Sequence, residues 1–141
     1  MVYFLSDSLV GWQALFCCVG KEAMKQKLCL VEDDVIIRLD TAQIFENAGF
    51  DVKEFGDADH ALRYLEIAAP ETSVIVTDIR LPGEQDGLAL ARIAEKRWPW
   101  IRIVVVSSFL GGFRELPPGA SAAISKPFRD EELVAKATGG T

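Results

Sequence analysis

The sequence is short of histidine, of metal-type cysteine spacing, of positive charge and of long unbroken apolar runs. His60 is the only histidine. The three cysteines, Cys17, Cys18 and Cys29, form no CxxC pair and no Cys/His pattern, which excludes a zinc finger or a histidine-based metal centre. They read as reduced thiols of a cytoplasmic protein. Lys and Arg number 15 against 21 Asp and Glu, giving a net charge of -6. With no basic cluster to hold phosphates, the chain reads as a poor non-specific nucleic-acid binder, and no nucleic-acid partner is expected. The charge balance suits a protein partner or a divalent cation. The opening "MVYFLSDSLVGWQALFCCVG" is apolar, but Asp7, Gln13, Ser6 and Ser8 interrupt it and no basic segment precedes it. That argues against a membrane span or signal peptide. Residues 1–23 read as an extension, either a docked helix or a stretch without fixed structure, and Met24 is an alternative natural start of the domain at 24–141.

What is present is a chain of 141 residues, half of them hydrophobic, which suffices for one domain with a sizeable core. From Lys27 onward, short β-rich runs alternate with stretches of helical period. Strands are expected at Leu28–Val31, Asp51–Phe55, Ser73–Thr77, Ile101–Val106 and Ser121–Ser125. Between the first two, Asp34 caps a helix with Ile37, Thr41, Ile44, Phe45 and Ala48 on its inner face, stopped by Gly49. Ala58–Ala69 carries Ala61, Leu62, Leu65 and Ala68 inward, and Asp86–Arg97 carries Leu88, Ala91 and Ala94. A last helix is expected from a cap at Asp130 to Gly139-Gly140. Between strands four and five, "SFLGGFRELPPGA" leaves room only for a shortened fourth helix. Five strands alternating with helices imply an α/β fold: a parallel sheet with right-handed crossovers, covered on both faces.

Open parallel sheets bind ligands beyond the carboxyl ends of their strands. Glu32, Asp33 and Asp34 follow strand one, Asp78 follows strand three, Ser107 and Ser108 follow strand four, and Lys126 follows strand five. Singly, most have an ordinary explanation as caps, turn residues or solvated charges. Jointly they place acids, a hydroxyl and a lysine on one edge of one sheet. Crowded carboxylates repel unless a cation intervenes, and Mg²⁺ takes such oxygen ligands. Asp78 could then remain ionised and attack phosphorus, with Lys126 and the Ser107 hydroxyl serving the phosphoryl oxygens.

The motifs "LVEDD", "VTDIRLPGEQDG", "VVVSS" and "SKPF", in this order and spacing, resemble those of a response-regulator receiver domain, the phosphoacceptor module of two-component signalling. The resemblance covers Lys27 to about Ala137. It implies a flavodoxin-like doubly wound five-stranded sheet of order 2-1-3-4-5. It implies that Asp78 is phosphorylated, that Mg²⁺ is held by Asp33, by Glu32 through water, by Asp78 and by the backbone carbonyl of Arg80, and that Ser107 is the switch hydroxyl. Lys126 matches the family's lysine, and the bond to Pro127 is expected to be cis. The implied partner is a histidine kinase or histidine phosphotransfer protein. Three features depart from the family. Ala123 stands where an aromatic ring is usual, the loop after Asp78 is one residue longer, and the fourth helix is eroded. They lead to the expectation that phosphorylation orders Ser108–Ala120 in place of an aromatic switch. With no effector following Thr141, the expected role is a stand-alone module signalling by protein contact or relay, not a turnover enzyme. The alternative is a small Mg²⁺-dependent phosphohydrolase, which would want an aspartate two residues after the nucleophile, where Arg80 stands. A further alternative is an interaction domain whose acidic pocket no longer works. His60 reads as an exposed helix residue away from the acidic edge. Trp98 and Trp100 are expected to pack locally beside Pro99.

Overall fold

The computed structural model describes residues 25–108 and 115–139. Among the described residues, alternating β-rich and helical runs fold into five strands and four α-helices: β1 (Lys27–Val31), α1 (Val35–Asn47), β2 (Asp51–Phe55), α2 (Ala58–Ala68), β3 (Thr72–Asp78), α3 (Gly87–Arg97), β4 (Arg102–Ser107), β5 (Ala122–Ser125) and α4 (Asp130–Thr138). A 3-10 turn at Ala69–Glu71 joins α2 to β3. All strands pair in parallel, in the order β2-β1-β3-β4-β5. This is the flavodoxin-like arrangement, with the strand order reversing between β1 and β3. The expected N-terminal extension and the centre of the shortened helix, at 109–114, lie outside the described residues.

Strand periodicity divides the core into two layers. Cys29, Val31, Ile75, Ile103 and Val105 face one side, where Ala61, Leu65, Leu90, Ala91 and Ala94 of α2 and α3 cover them. Their neighbours Leu28, Leu30, Val74, Val76, Val104 and Val106 face the other, under Ala42 and Phe45 of α1 and Leu133 and Ala137 of α4. Successive strand residues point to opposite faces, so a sheet clad on both sides needs nearly continuous apolar strands. Burial pushes the Cys29 thiol up to about 12, which keeps it protonated and inert as a small core residue.

Several packing expectations need correction. The buried stripe of α1 is Thr41, Ala42 and Phe45, whereas Ile37 and Ala48, towards the two ends of the helix, are exposed. In α3 the buried set is Gly87, Leu90, Ala91 and Ala94, with Leu88 only partly covered. Asp130 is the first residue of α4, not its cap. Arg129 holds the cap position, since the first intrahelical bond runs from Leu133 N–H to its carbonyl, and its guanidinium, which has no acceptor, makes no capping bond. Trp98 is core, with the Arg97 guanidinium 4.7 Å from its ring centroid. Trp100 is more than half exposed and reaches across to donate its indole N–H to the Ala69 carbonyl at 3.0 Å.

The caps at the strand-to-helix turns aim α1, α2 and α3. Asp34 accepts from the N–H groups of Ile36 and Ile37, Asp57 from His60 and Asp86 from Ala89. Asp57 also meets the His60 ring nitrogen Nδ1 at 2.7 Å, and these two contacts hold its carboxyl below the ordinary aspartate range. Asp57→Ala is expected to lower stability by about 1 kcal/mol at neutral pH, the usual cost of losing such a cap. A depressed carboxylate pKa contributes stability above the unfolded value of about 4, lost as pH falls through the lower folded value. The gap between wild type and variant in denaturant melts should therefore close on acidification. An equal gap at every pH would contradict the charge-assisted cap.

Candidate functional site

The sheet register assembles the site. Val31 of β1 lies opposite Thr77 of β3, so the next residues, Glu32 and Asp78, are neighbours across the point where strand order reverses. Asp78 pairs with Val106, one residue before Ser107, and Ser107 pairs with Ser125, one residue before Lys126. Four strand ends thus bring distant sequence positions to one crevice, where open parallel sheets bind ligands. One carboxylate oxygen each from Glu32, Asp33 and Asp78 lies within 4.8 Å of the others. Glu32 is buried, Asp78 half-buried and Asp33 exposed. Lys126 Nζ stands 3.2 Å from Glu32 Oε1 and 3.5 Å from Asp78 Oδ2. Ser107 is buried at the end of β4, and its carbonyl accepts the Lys126 N–H at 2.7 Å.

The electrostatics follow from crowding. Burial first, and then the neighbouring Asp78 charge, raise the Glu32 carboxyl above the ordinary range. The Asp34 N–H and the Lys126 ammonium oppose that rise. Three hard oxygen donors with no nitrogen or sulfur ligand in the cluster match a hard divalent cation such as Mg²⁺ better than zinc or copper. The donor chemistry therefore fits the cation that the resemblance implies.

Local structure holds Asp78 at the mouth of a strand otherwise built for the dry core. Its successor, Ile79, donates its N–H to the Val106 carbonyl at 3.1 Å and accepts from Gly87 N–H at 2.8 Å. The Thr77 hydroxyl donates to the Asp78 carbonyl at 2.8 Å. Arg80 is exposed two residues further on. The Lys126-Pro127 bond is cis. Asp34 caps α1 and does not join the acidic cluster. His60 corrects its expectation in part. It is exposed on α2, but in the first turn, at the same sheet edge as the acids, where it pairs with Asp57 and not with the cluster. Ala123 is partly buried within β5, opposite Val105.

Sequence reasoning passed over two residues that shape the site. A Cβ on Gly87 would stand 1.8 Å from the Asp78 carbonyl oxygen, so only glycine lets α3 start against the end of β3. The pair Asp86-Gly87 after a loop was the available signal. Arg38 donates from Nη1 to the Glu32 carbonyl at 2.9 Å. In sequence it looks like any solvated helical arginine.

Comparisons with known proteins agree with this geometry. The family model of the response regulator receiver domain matches residues 28–138. The transcriptional regulatory protein PdtaR of Mycobacterium tuberculosis is 31% identical over 119 residues, covering 79% of this chain and 55% of that protein. The C4-dicarboxylate transport transcriptional regulatory protein DctD of Rhizobium meliloti is 35% identical over 115 residues, covering 77% of this chain and 24% of that protein. The chain spans from about a fifth to about half of the length of the curated relatives it matches. Among solved structures, the receiver domain of NtrX from Brucella abortus is 30% identical with a TM-score of 0.70, covering 79% of this chain and 94% of that one. A CheY-like receiver domain protein from Methanospirillum hungatei is 28% identical with a TM-score of 0.69, covering 82% and 92%.

Proposed function

This chain belongs to the response regulator receiver domain family, and from that membership we propose that it accepts a phosphoryl group on Asp78 from a phosphohistidine and signals through a protein contact or relay. The observation that carries the reading is the lysine between two carboxylates: Lys126 Nζ lies within 3.5 Å of both Glu32 and Asp78, beside Asp33. Glu32, Asp33, Asp78 and the Arg80 carbonyl would hold Mg²⁺, which when bound supplies positive charge and lets the carboxylates stay ionised together.

The chain's own residues account for the transfer. An ionised Asp78 oxygen attacks phosphorus. The new O–P bond forms as the P–N bond to the donor imidazole breaks, and that nitrogen keeps the bonding electron pair. Lys126 follows the charge from the carboxylate to the phosphoryl oxygens, and Ser107, at the end of β4, would donate its hydroxyl to them. Water later cleaves the acyl phosphate, returning the Asp78 carboxylate and inorganic phosphate. The protein therefore cycles as a signalling module and releases no product other than phosphate.

The donor is a histidine kinase or histidine phosphotransfer protein. Immediately after the Asp34 cap, α1 leaves Val35, Ile36 and Leu39 exposed. This apolar face beside the acids suits a docking donor. Among the described residues no helix is long and apolar enough to cross a membrane.

The test is intact mass after incubation with a small acyl-phosphate donor. One phosphoryl group per chain is expected with Mg²⁺ present, and essentially none with a chelator. Equal uptake in both would remove the cation from the reading, and no uptake under either condition would favour an interaction domain without phosphoacceptor chemistry.

A further inference from the structure

We infer that Arg38 is the positioning residue of the cation site, locking the peptide plane that joins Glu32 to Asp33. The inference rests on the Mg²⁺ reading above and adds the residue that would set its affinity. The Glu32 carbonyl and the Asp33 N–H belong to one planar peptide group, so fixing that carbonyl fixes how both acidic side chains leave the backbone. Arg38, one turn beyond the Asp34 cap, turns back and donates from Nη1 to this carbonyl at 2.9 Å. The preceding peptide is fixed as well, because Glu32 N–H donates to the Phe55 carbonyl of β2 at 2.9 Å. The carboxylate of Glu32 is held at both oxygens, one by Lys126 Nζ and the other by the Asp34 N–H, each at 3.2 Å. Arg38 thus supplies the fourth of four restraints on one residue, and the only one acting on the link to Asp33.

The guanidinium is itself built into place. Its side chain is largely covered, and Nε lies 3.4 Å from Glu54 Oε1, an ion pair without a hydrogen bond, since Nε is buried with no hydrogen-bond partner. Gly56 leaves the space it needs, because a Cβ there would stand 3.2 Å from Nη1. A surface arginine kept only for solubility would not be threaded between the end of β2 and the turn after β1. A planar guanidinium is pre-organised, so it loses less freedom than a flexible ammonium in making such a bond. Groups that orient metal ligands without touching the metal typically change affinity by about 10- to 100-fold when removed.

The experiment is calorimetric titration of the full chain with Mg²⁺, alongside thermal melts in chelator, for wild type, R38M, R38K and E54Q. R38M is expected to raise the Mg²⁺ Kd by about tenfold. R38K should recover part of that loss, because its ammonium can still reach the carbonyl. E54Q should stay close to wild type, because the bond to the Glu32 carbonyl remains. An unchanged Kd in R38M overturns the inference, and where R38M does not fold, an unchanged Kd in R38A, made in its place, does so. A loss in E54Q as large as in R38M also overturns it, since Glu54 does not touch that peptide. Wild type that binds no Mg²⁺ sinks the underlying cation reading instead, and so the two failures are distinct.

Discussion

Asp78→Asn is expected to abolish phosphoryl uptake from a small donor while leaving the domain folded. The amide has nearly the shape of the carboxylate, but it has no negative oxygen to attack phosphorus, so the loss should be complete within the sensitivity of intact-mass measurement. The fold should tolerate the change for an electrostatic reason. Asp78 is one of three carboxylates within 4.8 Å, and its charge helps to raise the Glu32 carboxyl. Neutralising it relieves that repulsion and gives up only the 3.5 Å pairing with Lys126, the longer of the two contacts this lysine makes. Metal-free Asp78→Asn should therefore melt no lower than metal-free wild type. Peptide mapping adds a check on the wild type, where the phosphoryl group should sit on the peptide containing Asp78. Undiminished mass gain in the variant would move the acceptor to another residue, with exposed Asp33 the first to examine.

The sheet and its reactive edge were legible because strand composition and register are strongly coupled here. Runs such as "IVVV" can only be buried on both faces, and once five such runs alternate with helices, the polar residue after each run has to lie at one edge. Even the strand ends shifted by only a residue: Asp78 and Ser107 close their strands instead of following them. The inner face of α1 was not legible. Val35, Ile36, Ile37, Leu39 and Ile44 scatter apolar side chains around the helix, so no single stripe marks the core. The structure resolves this by burying Thr41, Ala42 and Phe45 and leaving the first turns apolar and open. Arg38 and Gly87 were illegible for a different reason. Each acts on a backbone group on the far side of a turn, the Glu32 carbonyl and the Asp78 carbonyl, and neither residue type advertises such a contact.

Gly87→Ala is expected to be the most damaging single-methyl change at this edge. Gly87 is the first residue of α3 and is buried, and its N–H bonds to the Ile79 carbonyl at 2.8 Å. An added Cβ would lie 1.8 Å from the Asp78 carbonyl oxygen, 2.8 Å from its carbonyl carbon and 2.9 Å from the Ile79 Cα. All three are backbone atoms of the end of β3, so no side-chain rotation can relieve the overlap. Either α3 or the Asp78-Ile79 peptide has to shift. Moving α3 disturbs Leu90, Ala91 and Ala94, which are fully buried against the sheet. Moving the peptide breaks the Ile79 N–H bond to Val106 and displaces the carboxylate from Lys126. Overpacking of this kind costs about 1–3 kcal/mol where side chains can adjust, and a rigid backbone contact should reach or exceed the upper figure of about 3 kcal/mol. The expected result in denaturant melts is a loss of that size. Any folded fraction should also take up phosphoryl groups more slowly than wild type at equal Mg²⁺. Wild-type stability together with a wild-type uptake rate would show that the start of α3 is free to move, and that the end of β3 does not depend on this glycine.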